Sequence, residues 1–242
     1  MRLFRLFVLF VVLCQGVGTG SVMAQNAAEW LSYRDNYRAM LWFEKYGGPK
    51  HLLQQHALLA AKSPTATGSL RLSLVSKSMR LELPLDETGR AVFPLLKQAY
   101  DENAELQLNQ KLDQVSLRPS VSLLIRADGI YELADLRAAC AQVLDYQNWR
   151  NASLLRGKKC VGVRFVFSKK LASAVPQLRR PDQSLTSLPL REGVPFWPFG
   201  HEADGSYPYA AFQTASYQFA APPDQGQVLT RSAPLAIVAW FE

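Results

Sequence analysis

Cysteine and histidine are scarce in this chain of 242 residues, with three of each. His51 and His56 stand five apart, which suits neither the i, i+4 pair of a helical zinc site nor one face of a strand. No metal site is therefore expected there. The chain lacks the Gly-x-Ser-x-Gly elbow of a serine hydrolase. It also lacks a phosphate-binding loop and a dinucleotide fingerprint. These gaps leave no catalytic residue to name and no cofactor to expect. A dense basic stripe with a nucleic-acid motif is missing, so no nucleic-acid partner is expected. Beyond the first 14 residues no apolar run approaches the ~20 residues of a spanning helix. The long amphipathic strands and aromatic girdles of a membrane barrel are not evident either. The reading is a mature chain with no transmembrane span. There is no internal repeat and no low-complexity tract.

What is present begins with an export signal. Arg2 and Arg5 precede an apolar run over residues 6–14, then a Gly-rich segment ending Val22-Met23-Ala24. This layout predicts a secretory signal peptide over residues 1–24, cut after Ala24. A retained anchor is the alternative. Leu13, bulky and directly before Cys14, argues against a lipoprotein acceptor. The expected location is the periplasm or cell envelope, or the exterior. Losing Arg2 and Arg5 leaves 25 basic residues against 20 acidic ones. That mild excess favours anionic partners such as lipid headgroups or acidic polysaccharide. Two cysteines remain, Cys140 and Cys160, and an exported chain invites a disulfide between them. It would close a loop of about 21 residues and contribute about 3 kcal/mol. The competing reading makes Cys140 a small buried hydrophobe on a helix.

The fold signal lies between Leu70 and Arg126. Leu70, Leu72 and Leu74 alternate with polar residues, and so do Met79, Leu81, Leu83 and Leu85. Leu106 and Leu108, then Val115 and Leu117, then Val121, Leu123 and Ile125 complete five short runs of period two. Such alternation puts one face of each strand on a core and the other in water. Turn residues separate the runs at 76–78, 86–89, 109–113 and 128–129. Pro84 cannot donate to a ladder, so its strand is expected at an edge. The fold class is mainly β: an antiparallel β-sandwich-like core with an N-terminal helix and one further packed helix.

The N-terminal helix is expected over residues 29–46, with an aromatic stripe that includes Trp30, Tyr33 and Tyr37 and a stop at Gly47-Gly48-Pro49. Core packing is the favoured reading of that stripe, and a ligand surface the other. Residues 51–61 fit helix or strand. A second helix is expected over 132–147 and a basic loop from Trp149. A strand follows over 161–167. Residues 169–195 read as an extended, partly flexible connection. Residues 235–241 form a strong final strand. Two segments follow from this: 25–170, an N-terminal helix with a sandwich-like domain and covering helix, and 171–242, a proline-rich connection and aromatic-rich β segment that can belong to the same domain.

The binding candidate is Val194-Pro195-Phe196-Trp197-Pro198-Phe199-Gly200. Prolines stiffen the backbone around Phe196, Trp197 and Phe199, so exposed rings would cost little entropy to present. The competing reading has these rings seal one end of the core. His201, Glu202 and Asp204 sit beside them in a glycine-bounded loop. They suit a divalent ion or acid–base work, or simply an Asp204-Gly205 turn. A dispersed glycosidase pair could draw on Asp86, Glu87, Asp101, Glu102 and Glu105, though each also suits a turn or a solvated strand face.

The run from Tyr37 through Ala39-Met40-Leu41-Trp42-Phe43 to Gly47, the strand run 81–94 and the segment 194–200 together resemble uncharacterised exported proteins of Gram-negative bacteria. The resemblance implies a periplasmic or envelope location and carries over no catalytic residue. The function expected is a non-catalytic envelope module that binds a protein partner or a surface polymer, with an envelope protein or a polysaccharide as the candidate partners. The alternative is a hydrolase of envelope polysaccharide.

Overall fold

The computed structural model describes residues 30–60, 70–110, 115–168, 175–196, 212–221 and 225–242. The leader expected at 1–24 lies outside them, as do Trp197, Phe199 and His201. The described chain is mainly β, arranged in antiparallel sheets with helices packed on them.

The alternating leucines build the first sheet. Strand β1 (Trp30–Ser32) pairs with β6 (Glu105–Leu108), β6 with β3 (Leu72–Val75), and β3 with β4 (Arg80–Leu83). Leu72, Leu74, Leu106 and Leu108 are buried on its inner face. Strand β4 is an edge, and it stops directly before Pro84, as the missing N–H requires.

Two expectations need correction here. Residues Trp30–Ser32 are strand rather than the first turn of a helix; helix α1 runs over Tyr33–Lys45. Ser32 has extended backbone angles, and its Oγ accepts from the Asp35 N–H at 3.3 Å. An N-cap residue with that geometry ends whatever extended segment precedes it. The last two period-two runs are one strand, β7 (Ser116–Leu123). It pairs along its length with β2 (Leu53–Ala60), the segment the sequence left between helix and strand. Pro119 lies inside β7 and is tolerated because β7 is an edge of its sheet, where β2 is flanked on the other side by β5 (Arg90–Ala91).

The β2–β7 pair joins two hydrophobic clusters. Ala57, Leu59 and Leu117 belong to one, with Leu72, Leu74 and Leu106. Leu53 and Leu123 belong to the other. Helix α1 spans the same divide, with Tyr33 and Met40 in the first cluster and Phe43 in the second. The Tyr33 ring stacks on Phe93 at 5.2 Å, and its hydroxyl donates to the Pro94 carbonyl at 2.6 Å.

The second cluster is centred on β9 (Cys160–Phe167), flanked by β13 (Phe212–Gln218) and β15 (Ala236–Phe241). Helix α3 (Leu133–Arg150) lies over it, adding Leu136, Cys140 and Val143 to the cluster of Val163, Phe165 and Phe167. The helix runs to Arg150, so Trp149 is helical and not in the expected loop. A disulfide joins Cys140 to Cys160 with the Cα atoms 6.0 Å apart, stapling helix to strand as the cysteine arithmetic predicts.

Between 175 and 195 the structure departs from the expected connection. Three short strands lie there: β10 (Gln177–Arg179), β11 (Leu185–Ser187) and β12 (Arg191–Gly193). Strand β10 pairs with β11 and with β14 (Gln227–Leu229), which pairs with β8 (Ile130–Glu132). Three residues hold too little alternation to register as a period, so proline content dominates the reading. A one-turn helix, α2 (Lys97–Asp101), completes the described elements named here. Among the described residues no helix is long and apolar enough to cross a membrane.

Candidate functional site

Of the proline-braced aromatic stretch, Phe196 is described. Its ring is partly buried against Val166, Phe212, Ala236 and Val238, and lies 5.4 Å from the Arg90 guanidinium. Beneath it is a buried polar cluster. Arg90 on β5 is 3% exposed and is held by Asp86 at 2.9 Å. It also donates to Thr88 Oγ1, to Ser122 Oγ at 3.3 Å and to the Leu235 carbonyl. The second Asp86 oxygen accepts from the Thr88 N–H at 2.8 Å, the Thr88 hydroxyl at 2.6 Å and the Arg90 N–H at 3.0 Å. One ion pair thus ties the turn before β5 to β7 and to the approach to β15. A guanidinium engaged on so many sides is a structural tie and has little freedom to act on a ligand.

His56 on β2 stands in register with Ser120, on the face of the sheet that also carries Gln54 and Ser122. Burial lowers its pKa from 6.5 to about 4; the charge of Arg90 adds to this and that of Asp86 opposes it. Its Nδ1 is buried without a hydrogen-bond partner, as is the Gln55 amide nitrogen. The imidazole is therefore neutral at pH 7. The native pKa lies below the unfolded one, so between about pH 4 and 6.5 the unfolded chain binds more protons. The contribution to stability is complete above pH 6.5 and is lost as pH falls toward about 4. Stability is expected to rise with pH across that window, with a slope below ~1.4 kcal/mol per pH unit. Urea unfolding at stepped pH checks this, and His56→Gln should flatten the rise.

The carboxylates considered for hydrolysis are engaged locally. Asp86 is bound to Arg90, and Glu87 accepts from Ser168 at 2.6 Å. Asp101 pairs with Lys97 at 2.5 Å. Hydrogen bonds from Ser76, Ser78 and Gln98 hold the Glu102 pKa down to about 2, so it stays ionised and suits no general-acid role. A recess of about 580 Å³ beside the start of α3 is lined by Arg179, Arg180, Gln183 and Gln227, with Glu132 the one carboxylate among its described lining residues. A retaining or inverting pair needs two. Among the described residues no group of three metal-ligating side chains is gathered.

Two exposed rings in mutual contact lie elsewhere. Trp42 on α1 and Trp149 on α3 are 48% and 45% exposed, and their ring centroids are 5.7 Å apart at 67°. Trp149 also meets Tyr46 at 5.2 Å, which fixes its orientation. The Lys45 ammonium lies 5.8 Å from the Trp42 ring. The aromatic residues of α1 and its C-cap therefore divide: Tyr33, Phe43 and the cap residue Tyr46 are core, and Trp42 is surface. Nothing in the sequence pairs Trp42 with Trp149, because the pairing needs α3 to persist through Arg150 and to pack beside the end of α1.

No family model, no curated protein and no solved structure matches the chain.

Proposed function

We propose that this chain is an exported, non-catalytic module of the cell envelope that binds a protein partner or a surface polymer. The leader-like first 24 residues support the location. The observation that supports binding is the Trp42–Trp149 pair, two large rings held in contact yet about half exposed. Side chains braced in this way lose little freedom on association, and aromatic rings carry much of the energy at binding surfaces. Lys45 and Arg150 beside them suit an anionic partner. The local engagement of Asp86, Glu87, Asp101 and Glu102 favours this reading over hydrolysis.

Crosslinking in intact envelopes, read by mass spectrometry, tests it. A defined protein or glycan adduct is expected with the native chain and should fall at least tenfold in a Trp42→Ala, Trp149→Ala variant that keeps its circular dichroism spectrum. Equal capture by both proteins would remove the ring pair from the binding surface.

A further inference from the structure

We propose that the outer face of the β1-β6-β3-β4 sheet binds a hydroxyl-rich, electrically neutral glycan chain. This goes beyond the preceding reading: it names a second surface, on elements other than those that carry the Trp42–Trp149 pair. The strand register carries the argument. Trp30 pairs with Gln107, Gln107 with Ser73, and Ser73 with Glu82, so the four side chains form one row across all four strands. Directly paired residues point to the same side of a sheet. The leucines between them, Leu72, Leu74, Leu106 and Leu108, are buried on the opposite side.

The row begins with a ring and continues with polar groups. Trp30 is 58% exposed at the sheet edge. Ser73 is buried beneath the row and donates to Glu82 at 2.8 Å, which fixes that carboxylate at the exposed surface of the row. Arg71 and Asn109 are tied to each other through their backbones and lie next to it, with Asn109 Oδ1 accepting from the Arg71 N–H at 2.8 Å. Arg80 stands 3.8 Å from Glu82 on the other side. Arg71, Ser73, Arg80, Glu82, Gln107 and Asn109 line a shallow depression of about 330 Å³.

Three features of this face select the ligand class. A sugar chain presents closely spaced hydroxyls that both donate and accept, and amide, guanidinium and carboxylate groups answer both needs. Its pyranose rings carry apolar C–H faces, for which an exposed indole is a suitable partner. The charges balance, Arg71 and Arg80 against Glu82 and Glu105, so the face does not attract a polyanion. A protein interface would place apolar residues at the centre of the patch, where this face has Gln107 and Glu82 over the buried Ser73. Four strands span roughly 14 Å, a length suited to a chain lying along the row.

Affinity electrophoresis tests the proposal, using gels cast with hydroxyethylcellulose, dextran or galactomannan, and with alginate as the acidic comparator. At least one neutral polymer is expected to retard the native protein. The Trp30→Ala variant should bind it at least tenfold more weakly and Gln107→Ala several-fold more weakly, while Leu185→Ala, an exposed position on β11 in another sheet, behaves as native. No retardation by any neutral polymer, or equal retardation of the native and Trp30→Ala proteins, overturns the proposal. Retardation by alginate alone, lost in Trp42→Ala, overturns it while leaving the ring-pair surface standing. Neutral-glycan binding that depends on Trp30, together with failed envelope crosslinking at Trp42 and Trp149, removes the ring pair and keeps the sheet face.

Discussion

Asp86→Ala is expected to destabilise the fold by about 3–5 kcal/mol, the range found when one partner of a buried ion pair is removed. The Arg90 guanidinium is almost wholly buried, and Asp86 is the anion against it. Truncation would leave a desolvated cation facing a ring and neutral acceptors. It would also free the Thr88 and Arg90 donors that Asp86 now accepts from. Arg90→Met should be milder, because Asp86 keeps the Thr88 donors and 29% of its side-chain surface in solvent. The double variant Asp86→Ala, Arg90→Met should be more stable than Asp86→Ala alone, since replacing both charges by apolar groups is far less costly than orphaning one. Urea midpoints for the three variants check the ordering. A single Asp86→Ala variant within about 0.5 kcal/mol of native would show that Arg90 is not desolvated in solution.

The second large effect concerns the disulfide. Replacing both Cys140 and Cys160 by alanine is expected to lower stability by about 3 kcal/mol, because the open chain regains the entropy of the loop closed across a sequence separation of 20. Alanine is the better probe than serine, since Cys140 is fully buried and a hydroxyl there would add an unsatisfied group. A reductant should shift the native protein to the same midpoint and leave the double variant unchanged. Identical midpoints for the oxidised native protein and the variant would rule out a stabilising bridge.

Much of the fold is legible in the sequence because several sheets keep one wet face. Leucines at 72, 74, 106 and 108 record it directly, and Pro84 marks the edge where β4 stops. The helix before β9 and the cysteine staple are legible for similar reasons: helical spacing and a count of two. Misreadings occur where partners distant in sequence decide. Trp30 fits a helical stripe until β6 pairs with it. The strands between 177 and 193 are three residues each, and β10 forms against β14 some 50 residues later in the chain. The exposed Trp42–Trp149 pair and the Trp30 row depend on helix packing and strand register respectively, and neither leaves a local mark. Phe196, by contrast, is legible as part of a stiff aromatic segment, but nothing in the sequence marks Arg90 as its partner.

Strand β9 has a consequence for how the protein is made. Val163, Phe165 and Val166 are fully buried, but both neighbours of the strand, β13 and β15, come from residues after 211. As the chain emerges from the ribosome, an apolar strand with two open edges precedes its partners. Such edges invite pairing with other chains. Helix α3 and the Cys140 bridge can shield one face of the strand, but neither covers the hydrogen-bonding edges. Biogenesis therefore rests on β13 and β15 arriving in time, and a nonsense codon anywhere before β13 would yield an aggregating fragment in place of a smaller folded protein.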